Sequence, residues 1–191
     1  MKKAVFIRVL FAISIAAYPF IVYFGIQVLS PSFFGLLLAM VMALRFGVLL
    51  PQERRLLLPL LAILLAYSLL AAFLSSMRLL LWYPALVNFL LCGIFANSLR
   101  FEEPLLLRLV KARNMVLSEH APRYLRTLTG LWAVFFALNG TMALWTSSKS
   151  LELWTLYNGL ISYFIVAALI GGEWIFRRWY KKRMGTAQSN P

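Results

Sequence analysis

The chain has 191 residues, of which 62% are hydrophobic and only 13% charged, and it carries a formal charge of +13. Soluble domains carry about 25% charged residues, so this composition excludes an ordinary water-exposed fold. With no aspartate and one cysteine, Cys92, the sequence also excludes paired-aspartate chemistry and any intrachain disulfide.

A helix needs about 20 mainly apolar residues to cross a bilayer. Six stretches qualify: Val9–Leu29, Ser32–Leu50, Leu56–Leu74, Leu79–Ser98, Thr127–Thr146 and Leu153–Phe176. The first follows Met-Lys-Lys, as a secretion signal would. Its apolar run continues to Leu29, beyond the roughly 7–15 residues of a signal h-region, so it is read as a retained span. Pro19 should kink it by deleting a backbone hydrogen bond. Tight turns are expected at Leu29-Ser30-Pro31-Ser32, Ser75-Ser76-Met77-Arg78 and Ser147-Ser148-Lys149-Ser150, where serines suit caps and turns.

Between the fourth and fifth spans lies the one long loop, Leu99–Arg126. Glu102-Glu103-Pro104 resembles a helix start, since proline tolerates the first turn and carboxylates favour the positive end of the dipole. Phe101, Leu105, Leu109, Ala112 and Val116 then recur every three or four residues, with Arg108 and Lys111 off that stripe. This predicts an amphipathic helix ended by Pro122, either lying in the cytoplasmic interface or packed on the bundle. The expected fold is all-α: six transmembrane helices in three hairpins over residues 1–178, then a basic, disordered tail at 179–191. No internal repeat is evident.

The basic residues orient this arrangement. With the N-terminus inside, Lys2, Lys3, Arg8, Arg45, Arg54, Arg55, Arg100, Arg108, Lys111, Arg113, Arg123, Arg126, Arg177, Arg178, Lys181, Lys182 and Arg183 all face the cytoplasm. Only Arg78 and Lys149 fall on the far side. Lys and Arg near span ends are retained inside, so both termini are expected to be cytoplasmic. In this setting the positive charge speaks for anionic lipid head groups as partners and against nucleic acid.

Candidate chemistry is sparse. The sole histidine, His120, sits in Ser118-Glu119-His120-Ala121-Pro122. It could act as a general base in acyl transfer or be an exposed loop residue. No nucleophile elbow, phosphate loop or zinc spacing is present, so no catalytic residue, metal or cofactor is assigned. Glu173 is the one carboxylate inside a span, which marks it as a functional candidate. Arg177 at i+4 offers the plainer reading of an interfacial ion pair.

The last two spans hold most of the polar and aromatic detail: Trp132, Asn139, Gly140, Trp145, Trp154, Tyr157, Asn158, Gly159, Ser162 and Tyr163. Asn139, near mid-span, should face another helix, and Gly140 and Gly159 permit close backbone approach. One reading is helix–helix contact with an outer aromatic belt of Trp145, Trp154 and Tyr157. The other is a polar groove of Asn139, Asn158, Ser162 and Glu173 for a lipid-like or small polar ligand.

The run Arg123-Tyr124-Leu-Arg126, Trp132, Asn139-Gly140, Trp145, Trp154, Tyr157-Asn158-Gly159, Tyr163 and Gly172-Glu173-Trp174 resembles a family of small bacterial inner-membrane proteins. Its members are often encoded beside fatty-acid-synthase-like genes for aryl polyene pigment lipids. The same stretch, roughly residues 100–178, is distantly similar to septation protein A. Where that protein has a lysine-bearing segment, this chain has Leu156-Tyr157-Asn158-Gly159. The resemblance implies a bacterial multi-pass inner-membrane protein of envelope biogenesis, working as a scaffold or lipid-handling factor. Its partners would be membrane lipids, other envelope proteins or a second copy of the chain. A small transporter or flippase, or an acyl-transfer enzyme using His120, are the alternatives. Neither family supplies a catalytic residue.

Overall fold

A computed structural model describes residues 17–25, 28–47, 51–112 and 121–187. They are helical throughout apart from turns, with no strand among them. Helix α1 covers residues 17–25, followed by α2 (Pro31–Gly47), α3 (Pro51–Phe73), α4 (Met77–Ser98), α5 (Leu105–Lys111) and α6 (Ala121–Thr146). The last helical rod is α7 (Leu151–Leu156), a π turn (Tyr157–Ile161) and α8 (Ser162–Ala187). Three segments are long and apolar enough to cross a membrane: Met77–Ser98, Ala121–Thr146 and Leu151–Ile175. Pro31–Arg45 and Leu58–Phe73 are shorter apolar helices.

The helix starts follow local chemistry. Pro31 opens α2, where a missing amide costs nothing. Ser76 caps α4 by accepting from the Leu79 amide at 3.4 Å, and Ser150 caps α7 by accepting from Leu153 at 3.3 Å. Ser75 takes a positive φ of 45° between α3 and α4, which tightens that turn.

The closest helix pairs are α2 with α3 and α4 with α6, so packing runs across connections more than within the expected hairpins. Small residues explain it. A Cβ added at Gly35 would lie 2.5 Å from the Ala72 nitrogen, and Ser32 Oγ donates to the Ala72 carbonyl at 2.8 Å. A Cβ at Gly140 would lie 3.1 Å from Asn88 Cβ. The main core joins Tyr18 and Val22 of α1, Phe34 and Met42 of α2, Leu64 of α3, Leu80 and Tyr83 of α4, and Trp154 of α7.

Two expectations change. Among the described residues, the helix of the long loop covers seven residues, and it packs inward through Leu105 and Leu107 rather than along a Phe101/Leu105/Leu109 stripe. Ser98 Oγ accepts from the Leu105 amide at 3.1 Å and fixes that face, while Phe101 and Leu109 stay exposed. Pro122 sits in the first turn of α6, which begins six residues before the expected Thr127. Helix α8 runs as far as Ala187, in keeping with the helix propensity of Lys, Arg and Met. Residues 9–16 of the first span, Val116, Glu119 and His120 lie outside the described residues.

Candidate functional site

The site begins with a missing hydrogen bond. Pro84 lies inside α4 and has no amide to offer the Leu80 carbonyl one turn earlier. In a membrane such freed backbone groups must find other partners. Tyr18 Oη donates to Leu80 O at 2.9 Å, Trp154 Nε1 to Leu81 O at 2.9 Å, and Tyr67 Oη to Leu79 O at 3.0 Å. Three aromatic donors from α1, α7 and α3 thus converge on three successive carbonyls of α4. Trp154 is fully buried as a result, with the Tyr18 ring edge-on at 6.3 Å.

One turn further along α4, Asn88 Nδ2 donates to the Pro84 carbonyl at 2.8 Å. Asn88 Oδ1 accepts from Asn139 Nδ2 on α6 at 2.9 Å, and Asn139 Oδ1 accepts from Tyr157 Oη at 2.8 Å. The result is a continuous chain of hydrogen bonds from the π turn through α6 to α4. Asn139 and Tyr157 are both buried. Buried amides in an apolar bundle require such partners.

The π turn sets this register. Its wider loop makes the Ser162 amide bond Tyr157 O, five residues back. Ser162 Oγ takes up the Asn158 carbonyl at 3.2 Å. Three consecutive residues, Tyr157, Asn158 and Gly159, are thereby buried together. Asn158 Nδ2 donates to Trp154 O at 2.9 Å and to Thr146 Oγ1 at 3.3 Å, tying the turn to the end of α6. A Cβ on Gly159 would lie 2.8 Å from the Phe20 ring, so glycine leaves room for that ring against the π turn. Single π turns inside α-helices occur frequently at functional sites.

At the opposite end of α6, Tyr124 Oη donates to Glu173 Oε1 at 2.8 Å and joins α6 to α8. The Arg177 side chain lies outside the described residues. Nearby, the Arg126 guanidinium donates to the carbonyls of Leu99 and Phe101, closing the end of α4. Arg108 stacks over the Phe101 ring at 4.9 Å, and Lys111 pairs with Glu103.

The four expected groove residues therefore separate. Asn139, Asn158 and Ser162 cluster around the π turn with their polar atoms turned onto protein partners. Glu173 sits eleven residues beyond Ser162, on Tyr124. The expected aromatic belt divides as well. Trp145 is half exposed with Lys149 Nζ 5.2 Å from its ring, whereas Trp154 and Tyr157 are drawn inward by Leu81 and Asn139. Trp132 packs against Phe135 and Phe136 on its own helix.

Sequence reasoning missed Pro84, Asn88, Thr146 and Tyr18, and singled out Tyr124 only as part of the resembling run. A proline followed by an amide at i+4 within an apolar run was the available signal for the first two. Among the described residues, no group of three His, Cys, Asp or Glu side chains comes together to hold a metal. Compared with protein-family models, curated proteins and solved structures, the chain finds no match.

Proposed function

We propose that the chain is a six-span bacterial inner-membrane protein with both termini cytoplasmic. It acts without a catalytic centre, as a scaffold or lipid-handling factor in envelope lipid biogenesis. One observation carries the preference for a scaffold over a polar conduit. The Tyr157 hydroxyl and the amides of Asn139 and Asn88 are joined to one another and to the Pro84 carbonyl of α4. A conduit needs such groups facing a ligand, whereas a stable bundle needs them facing each other. The cation distribution supports the orientation, and the exposed Arg100, Arg108 and Arg123 support contact with anionic head groups.

The test is reconstitution. Purified protein in liposomes carrying a head-group-labelled fluorescent lipid is quenched from outside. A scaffold leaves lipid exchange between leaflets at the protein-free rate. Accelerated exchange, abolished by Asn139→Leu, would replace this reading with the flippase alternative.

A further inference from the structure

Three arginines meet at one phenylalanine where α4 ends. Arg126 of α6 donates through Nη1 to the Phe101 carbonyl at 3.0 Å and through Nη2 to the Leu99 carbonyl. Arg108 of α5 donates through Nε to the Glu103 carbonyl at 2.6 Å, and its Cζ stands 4.9 Å from the centre of the Phe101 ring. Arg100 directly precedes Phe101 in the chain. All three arginines are exposed.

These anchors leave the positive charge in place. A carbonyl has no net charge, so it neutralises neither Arg108 nor Arg126. Of the two acids at this corner, Glu103 is taken by Lys111, which leaves the exposed Glu102 against three guanidiniums. A guanidinium has five N–H donors. Arg126 gives two of them to the backbone and Arg108 gives one, so both keep donors for an anion. Side chains already held by the backbone also lose less freedom when an anion binds.

The surroundings select the kind of anion. Phe101 is 52% exposed and Leu109 43% exposed among these cations. The membrane-length helix α4 ends at Ser98, just before them. Cations mixed with exposed apolar side chains at a span end lie at head-group depth. A soluble anion gains from the arginines alone, whereas a lipid also gains from Phe101 and Leu109. The two anchored guanidiniums address different parts of Phe101, Arg108 its ring and Arg126 its carbonyl. They are two neighbouring cationic points, which a head group with two phosphates can occupy together.

We propose that the corner of α4, α5 and α6 around Phe101 binds an anionic lipid with two phosphates in its head group, one on Arg108 and one on Arg126. Arg100 adds to the attraction. The proposal rests on the reading of this face as one that meets anionic head groups, and it names the lipid class.

Native mass spectrometry of the purified full-length protein tests it, with cardiolipin and phosphatidylglycerol of matched acyl chains as lipid probes and inorganic pyrophosphate as the soluble one. The wild type should retain cardiolipin about tenfold better than phosphatidylglycerol, the worth of one further charge-assisted hydrogen bond. Arg108→Gln and Arg126→Gln should each remove most of that preference. Arg78→Gln, which deletes a cation at the other end of α4, should keep it. Pyrophosphate at the same concentration should displace no cardiolipin. The preference is a ratio within one sample, so partial unfolding does not imitate its loss. Arg108 is anchored within its own short segment, so its variant keeps the test sharp even if Arg126→Gln folds poorly. Equal retention of the two lipids by the wild type, a preference unchanged in Arg108→Gln, or an equal loss in Arg78→Gln overturns the site. Displacement by pyrophosphate overturns the lipid as its ligand. Each of these results leaves the broader functional reading standing, whereas a far-side signal from a fusion within residues 100–126 removes that reading's orientation without touching the lipid ratio.

Discussion

The Tyr18 hydroxyl occupies the acceptor that Pro84 strands: its Oη lies 2.9 Å from the Leu80 carbonyl, which has no helical amide to receive. Tyr18 is buried and joins α1 to the centre of the bundle. Tyr18→Phe should therefore destabilise the protein by about 1–2 kcal/mol, the cost of leaving a buried carbonyl unmet. In a Pro84→Ala background the amide returns and the same change should cost markedly less. Unfolding in mixed micelles, run as a double-mutant cycle, measures the coupling. Equal costs in the two backgrounds would separate the tyrosine from the proline.

Asn139 bridges two partners on different elements, so its removal strands both. Asn139→Leu should lower stability by roughly 0.6–2 kcal/mol, the range for interhelical polar contacts in membranes. Asn97→Leu, on the exposed end of α4, should change it little. Asn88→Leu should cost less when Asn139 is already Leu. Thermal unfolding of the four purified variants decides this, and additive effects of Asn88 and Asn139 would count against a shared chain.

The glycines divide by their surroundings. Gly35→Val would drive side-chain atoms into the Ala72 backbone, and expression in the membrane fraction should collapse or stability fall by more than about 1–3 kcal/mol. Gly93 faces open space. Gly93→Ala should be neutral or stabilise by up to about 1 kcal/mol through helix propensity. Yield and melting temperature of the two variants, compared side by side, check the contrast.

Topology gives a test independent of side chains. Reporter fusions after Arg55, within residues 100–126 and after Lys182 should register the cytoplasm. Fusions near Ser76 and Ser148 should register the far side. Cytoplasmic activity at Ser148 would remove the six-span arrangement.

Helices were legible because apolar length and serine-marked turns are local properties of the chain. The burial of Asn139 could be anticipated from its depth in an apolar run, since an amide there needs a partner. The identity of that partner could not. Asn88 lies 51 residues away, and its span gave only a hydropathy signal. Trp154 and Tyr157 looked like belt residues because aromatics near a span end usually are; the Leu81 carbonyl and Asn139 that drew them inward are contacts in space, not in sequence. The loop helix failed on its face, because the Ser98 hydroxyl that anchors Leu105 comes from the preceding helix. Glu173 looked paired with Arg177 by spacing alone, while Tyr124 became visible as a partner only once α6 and α8 were antiparallel neighbours.

The π turn is an insertion of one residue into an otherwise regular rod. The bond from the Ser162 amide to the Tyr157 carbonyl spans five residues, so Ser162 stands where a regular helix would place the residue four on from Tyr157. The extra residue is absorbed locally and the rod beyond it keeps its phase. Deleting one residue from 157–161 would restore a continuous α-helix and leave Glu173 facing Tyr124, while Tyr157, Asn158 and Gly159 could no longer all turn inward together. The damage of such a deletion should therefore stay at the Asn139 and Thr146 contacts, whereas the same deletion in the regular helix of α8 before Glu173 should turn the carboxylate away by about 100°.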